Sequence, residues 1–422
     1  MAQILLTFLT RVKPDKVAEL KEFLDKDIAG NLLTNPHVPF PSLTRLHFAS
    51  LVLNSDATYG PYLVFENNFD GPLEAYLDEL YRHSAPGLHR IYSYCLDYPA
   101  ASGPDRQQML SYLRNHIVRP NAYHIGNFGR SAERTRREDS LRDKLENFLD
   151  DFVRKGPGGQ AAGLIRQRVQ DFVRSEPALA WATNPNPRQT AIEWLKPRLM
   201  LALLAVIVFL LLPILILPVI IWALVLRYKE QRDPAPDKFD KLNERIGDLL
   251  EREDKSRVVQ NHLAHMTMVK PGLFRRATLR ILLWVVNLVA RTQDNGKLMG
   301  IPSIHYAHWS MIDNGRRLLF LSNFDGSWEN YLDDFIDKAS FGLTAVWSNT
   351  QEFPRTFLLF WQGAEDGDRF KAWARDKQFH TNVWYSAYPS LTVETIDNNS
   401  SIREELFTPL DEKATREWLW RF

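Results

Sequence analysis

The chain has 422 residues, of which 45% are hydrophobic and 24% charged, and its 52 basic and 51 acidic residues leave a net charge of +1. This length predicts two or three domains, and the even mixture of charges excludes the clustered basic surface of a nucleic-acid-binding protein. The one cysteine, Cys95, excludes an internal disulfide bond and a cysteine-based metal cluster.

The first 83 residues predict a strand, a helix, two strands and a second helix. A strand is indicated over residues 4–12 and an amphipathic helix over 17–30. Residues 43–53 and 61–69 then alternate as the two strands of a hairpin, and 72–83 form the second helix. The N-terminal apolar run precedes its basic residues, which is the reverse of a secretory signal, so we expect the soluble parts in the cytoplasm.

Charged and proline-rich segments follow. Residues 131–155 predict a helix that ends at the break Lys155–Gly159. Residues 161–177 place their apolar side chains on one face, which fits either an interfacial helix on a membrane or an ordinary packed helix. The segments 184–189 and 233–238 are stiff proline-containing connectors.

The stretch between these connectors, Leu199 to Leu226, has no charged, amide or hydroxyl side chain. At about 1.5 Å per residue it can cross a bilayer core of about 30 Å once but not twice. Pro213 and Pro218 each remove a backbone donor, which also permits a helical hairpin that enters one leaflet and returns. Basic residues flank both ends, so charge asymmetry gives no orientation.

After this stretch the order of the first elements is repeated. Residues 262–272 (HLAHMTMVKPG) correspond to 8–15 (FLTRVKPD), and 304–312 (IHYAHWSMI) correspond to 46–53 (LHFASLVL). Residues 319–335 (LFLSNFDGSWENYLDDF) correspond to 64–80 (VFENNFDGPLEAYLDEL). Smaller features recur in register: Gly87-Leu88 as Gly342-Leu343, Ser93 as Ser348, Pro99 as Pro354, Asn121 as Asn382, and Leu141-Arg142 as Ile402-Arg403. Such a sustained correspondence indicates an internal repeat.

One helix of the second copy differs in composition from its counterpart. Residues 273–291 hold four arginines around an apolar run and no acidic residue, whereas the helix over 17–30 alternates lysine with acids. This helix either touches lipid or a hydrophobic partner or is buried between the two copies.

A strand-helix-strand-strand-helix unit with a closing strand follows the ferredoxin-like plan, whose open sheet face must be covered. Two copies can cover each other as a pseudo-dimeric α/β barrel, and in this the chain resembles tandem proteins of the dye-decolourising peroxidase and chlorite dismutase superfamily. The expected fold is α+β: two tandem ferredoxin-like repeats with an inserted hydrophobic membrane helix or helical hairpin. Direct pairing requires both copies on one side of the membrane and favours the hairpin. The expected divisions are a first repeat (1–150), an amphipathic helical linker (151–197), a membrane segment (198–227), a charged helical linker (228–257) and a second repeat (258–422).

The resemblance implies haem, a G-x-x-D-G motif whose aspartate assists peroxide cleavage, a distal arginine and a proximal histidine ligand. Asp70-Gly71 and Asp325-Gly326 match the end of that motif, although both sites lack its first glycine. Asp325 is therefore the candidate catalytic residue. The alternative is that both aspartates cap the helix that follows, because a duplicated residue fits a structural role.

The histidines also divide by symmetry. His47 and His305 occupy equivalent positions, which favours packing or hydrogen bonding, whereas His308 has Ser50 as its counterpart. Strand alternation is expected to bring His265 and His308 to neighbouring strands as a haem or metal site, with His308 as the metal ligand and His305 and His265 as further cofactor-binding candidates. A core or solvated histidine is the alternative for each.

Aromatic side chains crowd the second copy and either line a pocket for a flat hydrophobic ligand or form the core: Trp309, Trp328, Trp347, Trp361, Trp373, Trp384 and Tyr385.

The apolar segment and the resemblance together leave two classes of function open. One is a membrane-anchored, haem-dependent, peroxidase-like oxidoreductase acting on a hydrophobic or small-molecule substrate at a bacterial-type inner membrane. The other is a non-enzymatic membrane protein that binds a lipid or a protein partner. The expected partners are the lipid bilayer, a hydrophobic small molecule and further copies of the chain, without nucleic acid.

Overall fold

The computed structural model describes residues 2–56, 58–100, 103, 105–155, 161–184, 191–234, 247, 249, 259–292, 297–298 and 300–422. Within these residues the protein is a mixed α+β structure with antiparallel sheets. The predicted break at 156–159, most of the connector 184–189 and most of the charged linker 228–257 lie outside the described residues.

The first half contains strands β1 (Gln3–Arg11), β2 (Leu46–Asp56), β3 (Gly60–Asp70), β4 (Ile117–Val118) and β5 (Ala122–Ile125), with helices α1 (Val17–Glu22), α2 (Leu73–Ser93), α3 (Arg106–Asn115), α4 (Ala132–Lys155) and α5 (Ala162–Ser175). Helix α6 (Ala191–Glu230) leads to the second half. That half contains strands β6 (Gln260–Met268), β7 (Ile304–Ile312), β8 (Arg317–Asp325), β9 (Thr356–Phe357), β10 (Trp361–Gln362), β11 (Gln378–Phe379) and β12 (Val383–Ser386), with helices α7 (Leu273–Ala290), α8 (Trp328–Trp347), α9 (Gly367–Lys377), α10 (Val393–Glu405) and α11 (Glu412–Leu419).

Each of the two large sheets includes a strand from the other half of the chain. The first sheet has the order β12-β2-β3-β1-β4, and the second has the order β11-β6-β8-β7-β5. Strand β12 pairs with β2 from Val383 opposite Leu51, and β5 pairs with β7 from Ala122 opposite Trp309. The two halves therefore share backbone hydrogen bonds in both sheets.

Two equivalent asparagines hold the exchanged strands in register. Asn121 Oδ1 accepts a hydrogen bond from the backbone N–H of Met311 at 2.7 Å, and Asn382 Oδ1 accepts one from the N–H of Leu53 at 2.8 Å. Each asparagine precedes an exchanged strand. The sequence repeat at these positions thus corresponds to a repeated hydrogen bond between the halves.

Alternation along β1 sends side chains to two layers. Leu6 and Phe8 join the apolar cluster beneath α2 and α3, whereas Leu5 joins a cluster with Tyr306 and Tyr388 of the second half. Another cluster combines residues of both sheets, namely Val52, Tyr62, Val64, Ala264, Met266, Ile312, Leu319 and Leu321. The two sheets are therefore in side-chain contact as well as sharing strands.

Helix α5, one of the segments with two interpretations, is an ordinary packed helix. Val169 and Val173 are buried in a cluster with Leu141 of α4 and Trp418 of α11. Arg166 donates hydrogen bonds to the carbonyl oxygens at the end of α10. The inward part of its apolar face is covered by protein, whereas Leu164 is exposed.

Helix α6 runs without interruption through Pro213 and Pro218, so the favoured hairpin is wrong. Between Arg198 and Glu230 the helix is long and apolar enough to cross a membrane, and an 18-residue stretch within it has a mean hydropathy of 3.3 and is not buried by protein. The physical reason is local. The four residues between the prolines are Ile and Leu, which offer no turn residue to reverse the chain.

We predict that Asn382→Ala lowers the free energy of unfolding by roughly 1–3 kcal/mol, because it leaves the partly buried N–H of Leu53 without its acceptor. Denaturant unfolding of the detergent-solubilised full chain measures this change. Asn147→Ala is the matched control, since Asn147 is exposed on α4. Equal unfolding midpoints for the two variants would contradict the role of Asn382.

Candidate functional site

Two equivalent histidine–aspartate pairs lie at the ends of β3 and β8. His47 Nε2 is 3.1 Å from Asp70 Oδ1, and His305 Nε2 is 2.7 Å from Asp325 Oδ1. Both histidines are almost fully buried. The equivalent positions therefore carry the same contact, as expected for a packing or hydrogen-bonding role.

Both aspartates also cap helices, but not the helices that directly follow them. Asp70 Oδ2 accepts from the N–H of Ala132 at 2.7 Å, and Asp325 Oδ2 accepts from the N–H of Val393 at 2.8 Å. These donors are the first residues of α4 and α10. The expectation that each caps the next helix is wrong, since Ser327 caps α8. Strand alternation places both aspartates on the face opposite the next helix.

A buried carboxylate, Glu66 of β3, lies between the sheets and was not among the sequence candidates. Its side chain is 0% exposed. His262 Nε2 is 3.0 Å from Glu66 Oε2, Ser50 Oγ donates to Oε2 at 3.2 Å, and Asn68 Nδ2 donates to Oε1 at 3.1 Å. A charge buried this deeply requires such partners.

The Glu66 cluster extends through His308. His308 Nδ1 is 3.6 Å from Glu66 Oε1, and its Nε2 is 3.0 Å from Thr7 Oγ1. Residues of both sheets contribute to the cluster: Thr7, Ser50, Glu66 and Asn68 from the first, and His262, His308 and Asn323 from the second. The cluster therefore links the two sheets through polar contacts.

The surroundings of Glu66 favour its ionised form. Burial alone would raise the pKa of Glu66, but the hydrogen bond and charge of His262, the charge of His308 and the Asn68 amide together lower that pKa to about 2. Burial lowers the pKa of His308. The cluster holds a carboxylate at neutral pH.

The sequence signal for this cluster is a set of differences between the copies. Glu66 corresponds to Leu321, and His308 to Ser50, while His262 corresponds to Leu5. An acid inside a predicted strand whose counterpart is apolar indicates a buried partner in the other copy. Residues that are equivalent in the two copies do not carry this signal, because it lies in the positions where the copies differ.

His265 lies apart from His308, contrary to expectation. Strands β6 and β7 both pair with β8, which separates them. The His265 ring packs 4.8 Å from each of Trp347 and Trp373, on the helix side of the sheet, and burial lowers its pKa to about 3. Among the described residues neither ring nitrogen has a hydrogen-bond partner. His265 is a neutral core aromatic.

None of the three candidate histidines is placed to serve as an axial ligand of a haem iron. A ligand nitrogen must face open volume, but His308 Nε2 faces Thr7 and His305 Nε2 faces Asp325, and His265 is enclosed by tryptophans. Among the described residues no group of three His, Cys, Asp or Glu side chains is arranged to hold a metal ion. Catalysis by Asp325 remains a prediction.

Two cavities of about 240 Å³ lie elsewhere. One is lined by Lys297, Glu394 and Arg421, and the other by His116 and Arg317 among others.

The crowded tryptophans are mainly core, because Trp309, Trp328, Trp347 and Trp373 are buried in the second apolar cluster, whereas Trp361 is exposed.

Comparisons with known protein families, with curated proteins and with solved structures found no match to this chain. The resemblance to the peroxidase superfamily therefore remains a hypothesis.

We predict a pH dependence of stability from Glu66. Its pKa of about 2 lies below the ordinary 4.5, so the ionised carboxylate contributes stability above pH 4.5 that is lost as pH falls towards 2. The loss is on the order of 3 kcal/mol.

Denaturant unfolding of the full chain in detergent, between pH 7 and pH 2.5, measures this dependence for the native chain and for Glu66→Gln. The variant is expected to show a flatter dependence. Glu133→Gln, at an exposed glutamate, serves as the control and should keep the native slope. A Glu66→Gln profile parallel to the native one would contradict the assignment.

Proposed function

We propose that this is a membrane-attached, non-enzymatic binding protein whose α+β body is held at the bilayer by α6. The observation that carries the proposal is the exposed apolar surface of α6. Phe209, Leu210 and Ile214 are 74%, 67% and 70% exposed, and the uncharged stretch extends from Leu199 to Leu226. Apolar surface of this extent marks a membrane or partner contact, because each Å² left in water costs about 25 cal/mol.

The attachment of α6 to the body supports this proposal. Glu230, at the end of α6, accepts hydrogen bonds from the N–H groups of Leu358 and Leu359 at 2.9 and 2.8 Å and from Thr356 Oγ1 at 3.1 Å. Leu358 and Leu359 have φ of 50° and 69°, a left-handed conformation that L-residues rarely adopt. The carboxylate therefore stabilises a strained turn while joining the apolar helix to the body.

A second acidic residue just beyond α6 strengthens the junction. Asp233 lies 2.7 Å from Lys270 Nζ and 2.6 Å from Arg275 Nη2, and both cations are nearly buried. Burial lowers the pKa of Lys270 and of Arg275, and the Asp233 carboxylate opposes that shift. These contacts fix the orientation of the body relative to α6, which a flexible linker would not do.

The body itself is proposed to be a tandem ferredoxin-like pair. Each half follows the strand-helix-strand-strand-helix order, and each closing strand pairs with the sheet of the other half, which supports a pseudo-dimeric barrel. Side chains such as Phe48, Tyr306 and Tyr388 occupy the space between the sheets. Binding of a lipid or a protein would therefore use the outer surface. A cytoplasmic position of the body and self-association remain parts of this proposal.

The haem-dependent, peroxidase-like oxidoreductase remains the alternative. The engagement of His305 and His308 by polar neighbours gives it no support. Its substrate would need access to residues that are buried between the sheets.

Flotation with phosphatidylcholine vesicles tests the membrane attachment. We expect the native chain to float with vesicles and Phe209→Lys/Leu210→Lys/Ile214→Lys to lose at least nine-tenths of its bound fraction, because each charge at the centre of an apolar helix costs roughly 2.5–3.5 kcal/mol. Leu33→Lys/Leu164→Lys, at exposed leucines outside α6, is the matched control and should float. A native chain that stays monodisperse without detergent and does not float would overturn the proposal.

Titration of the purified chain with haem separates the two function classes. We expect no Soret band of an imidazole-ligated haem, because His308 already contacts Glu66 and Thr7. A stoichiometric Soret band that His308→Ala abolishes would restore the oxidoreductase and contradict the binding-protein proposal.

A further inference from the structure

We infer that α6 does not cross the membrane but lies within one leaflet, on the outward face of α7, so that the protein is monotopic. The inference rests on the proposed membrane attachment and adds its topology. It also assigns α7 a lipid contact. Three features of the structure carry it: the shared body, the continuity of α6, and the apolar surface that α6 and α7 form together.

The chain before α6 and the chain after it belong to one body. Strand β5 lies in the second sheet and β12 in the first. Close to the start of α6, the carbonyl oxygen of Asn184 accepts a hydrogen bond from Arg403 at 3.1 Å, and α5 packs against α11. A folded body that shares strands in this way cannot be divided between two compartments. Both ends of the apolar segment must therefore be on the same side of the bilayer.

A continuous helix that starts and ends on one side does not cross. Helix α6 has no reversal between Ala191 and Glu230. A single crossing would carry residues 191–198 and 227–230 to opposite faces. The remaining arrangement is a helix that lies along the membrane, with any bend confined to Pro213 and Pro218.

Contacts at both ends of α6 place it beside α7. Trp222 Nε1 donates to Thr278 Oγ1 at 3.1 Å, and Arg198 Nη2 donates to the carbonyl oxygen of Thr292, just after α7, at 3.3 Å. The later part of α6 thus lies beside the first turns of α7, and the earlier part beside its end. The two helices run in opposite directions along the same side of the body.

The outward face of α7 continues the apolar surface. Leu273, Ile281 and Trp284 are 77%, 62% and 47% exposed, and Val285 is exposed beside them. Ile281 lies eight residues after Leu273, and Trp284 and Val285 lie three and four residues after Ile281, so these positions share one face of the helix. The alternative that α7 is buried between the copies is wrong, because its inner face alone packs on the second sheet.

The side-chain composition of α6 and α7 indicates how deeply each helix would lie in the membrane. Helix α6 is apolar on every side, which suits the acyl layer. Apart from the buried Arg275, which pairs with Asp233, residues 273–291 combine apolar side chains with Arg276, Arg280 and Arg291 and have no acid, which is typical of a helix at the level of anionic headgroups. Exposed Phe357 and Trp361 lie near the C-terminal end of α6, where Arg227 stacks on Phe357. Aromatic rings of this kind are enriched at the membrane interface.

Labelling of two cysteines in one molecule tests the topology. Ser175→Cys and Gln231→Cys flank α6 at exposed positions, and the native Cys95 is fully buried. The double variant is reconstituted into phosphatidylcholine–phosphatidylglycerol vesicles, treated with a membrane-impermeant maleimide and weighed by mass spectrometry. We expect molecules with two adducts or none, because both cysteines face one side. A dominant population with one adduct would overturn the inference.

Controls separate this result from the membrane attachment itself. The native chain should gain no adduct, and the double variant in detergent should gain two. Failure of the native chain to float removes the proposed function, whereas flotation with one adduct per molecule removes only the monotopic topology.

Spin labels test the contact of α7 with lipid in the same vesicles. A nitroxide at Ile281→Cys is expected to be relaxed by oxygen in preference to an aqueous nickel chelate, as at Ile214→Cys on α6. Leu164→Cys, exposed on α5, is the aqueous control. An Ile281 label as accessible to nickel as the Leu164 label would overturn the position of α7.

Discussion

The exchange of β5 and β12 between the sheets is the constraint on which the rest of this structure depends. Each exchanged strand is short, and each is held by an asparagine that bonds to the backbone of the other half. Because backbone hydrogen bonds cross between the halves in both sheets, neither half has its complete sheet alone. Contacts between the two sheets, such as that of Glu66 with His262, accompany this exchange.

Glu66 shows the energetic consequence of pairing the two halves. Removing a carboxylate from water costs several kcal/mol, and its partners from the second sheet, His262 and Asn323, offset part of this cost only when the halves are paired. The equivalent position of the second copy is Leu321, which joins an apolar cluster instead. One copy thus supplies the charge and the other supplies the imidazoles. This asymmetry favours one register of pairing over others, because a slipped register would leave the carboxylate without partners.

The apolar helix is integrated into the same body at its C-terminal end. Glu230 and Asp233 are acidic residues next to a lipid-compatible helix, yet both are engaged by the second half through backbone N–H groups and buried cations. A free tether would need none of these contacts. The arrangement couples the orientation of the body to that of α6, whose contacts with Thr278 and Thr292 place it on the same side of the body as α7.

The sequence by itself determined the local features: the apolar segment, the strands and helices of each copy, and the equivalence of Asn121 with Asn382 or His47 with His305. These follow from periodicity, composition and repetition along the chain. Only the tertiary structure decided which helices Asp70 and Asp325 cap, that β8 separates His265 from His308, and that Glu66 contacts His262. Each of these depends on contacts between residues far apart in the sequence, whose strand neighbours and facing layers no local pattern specifies.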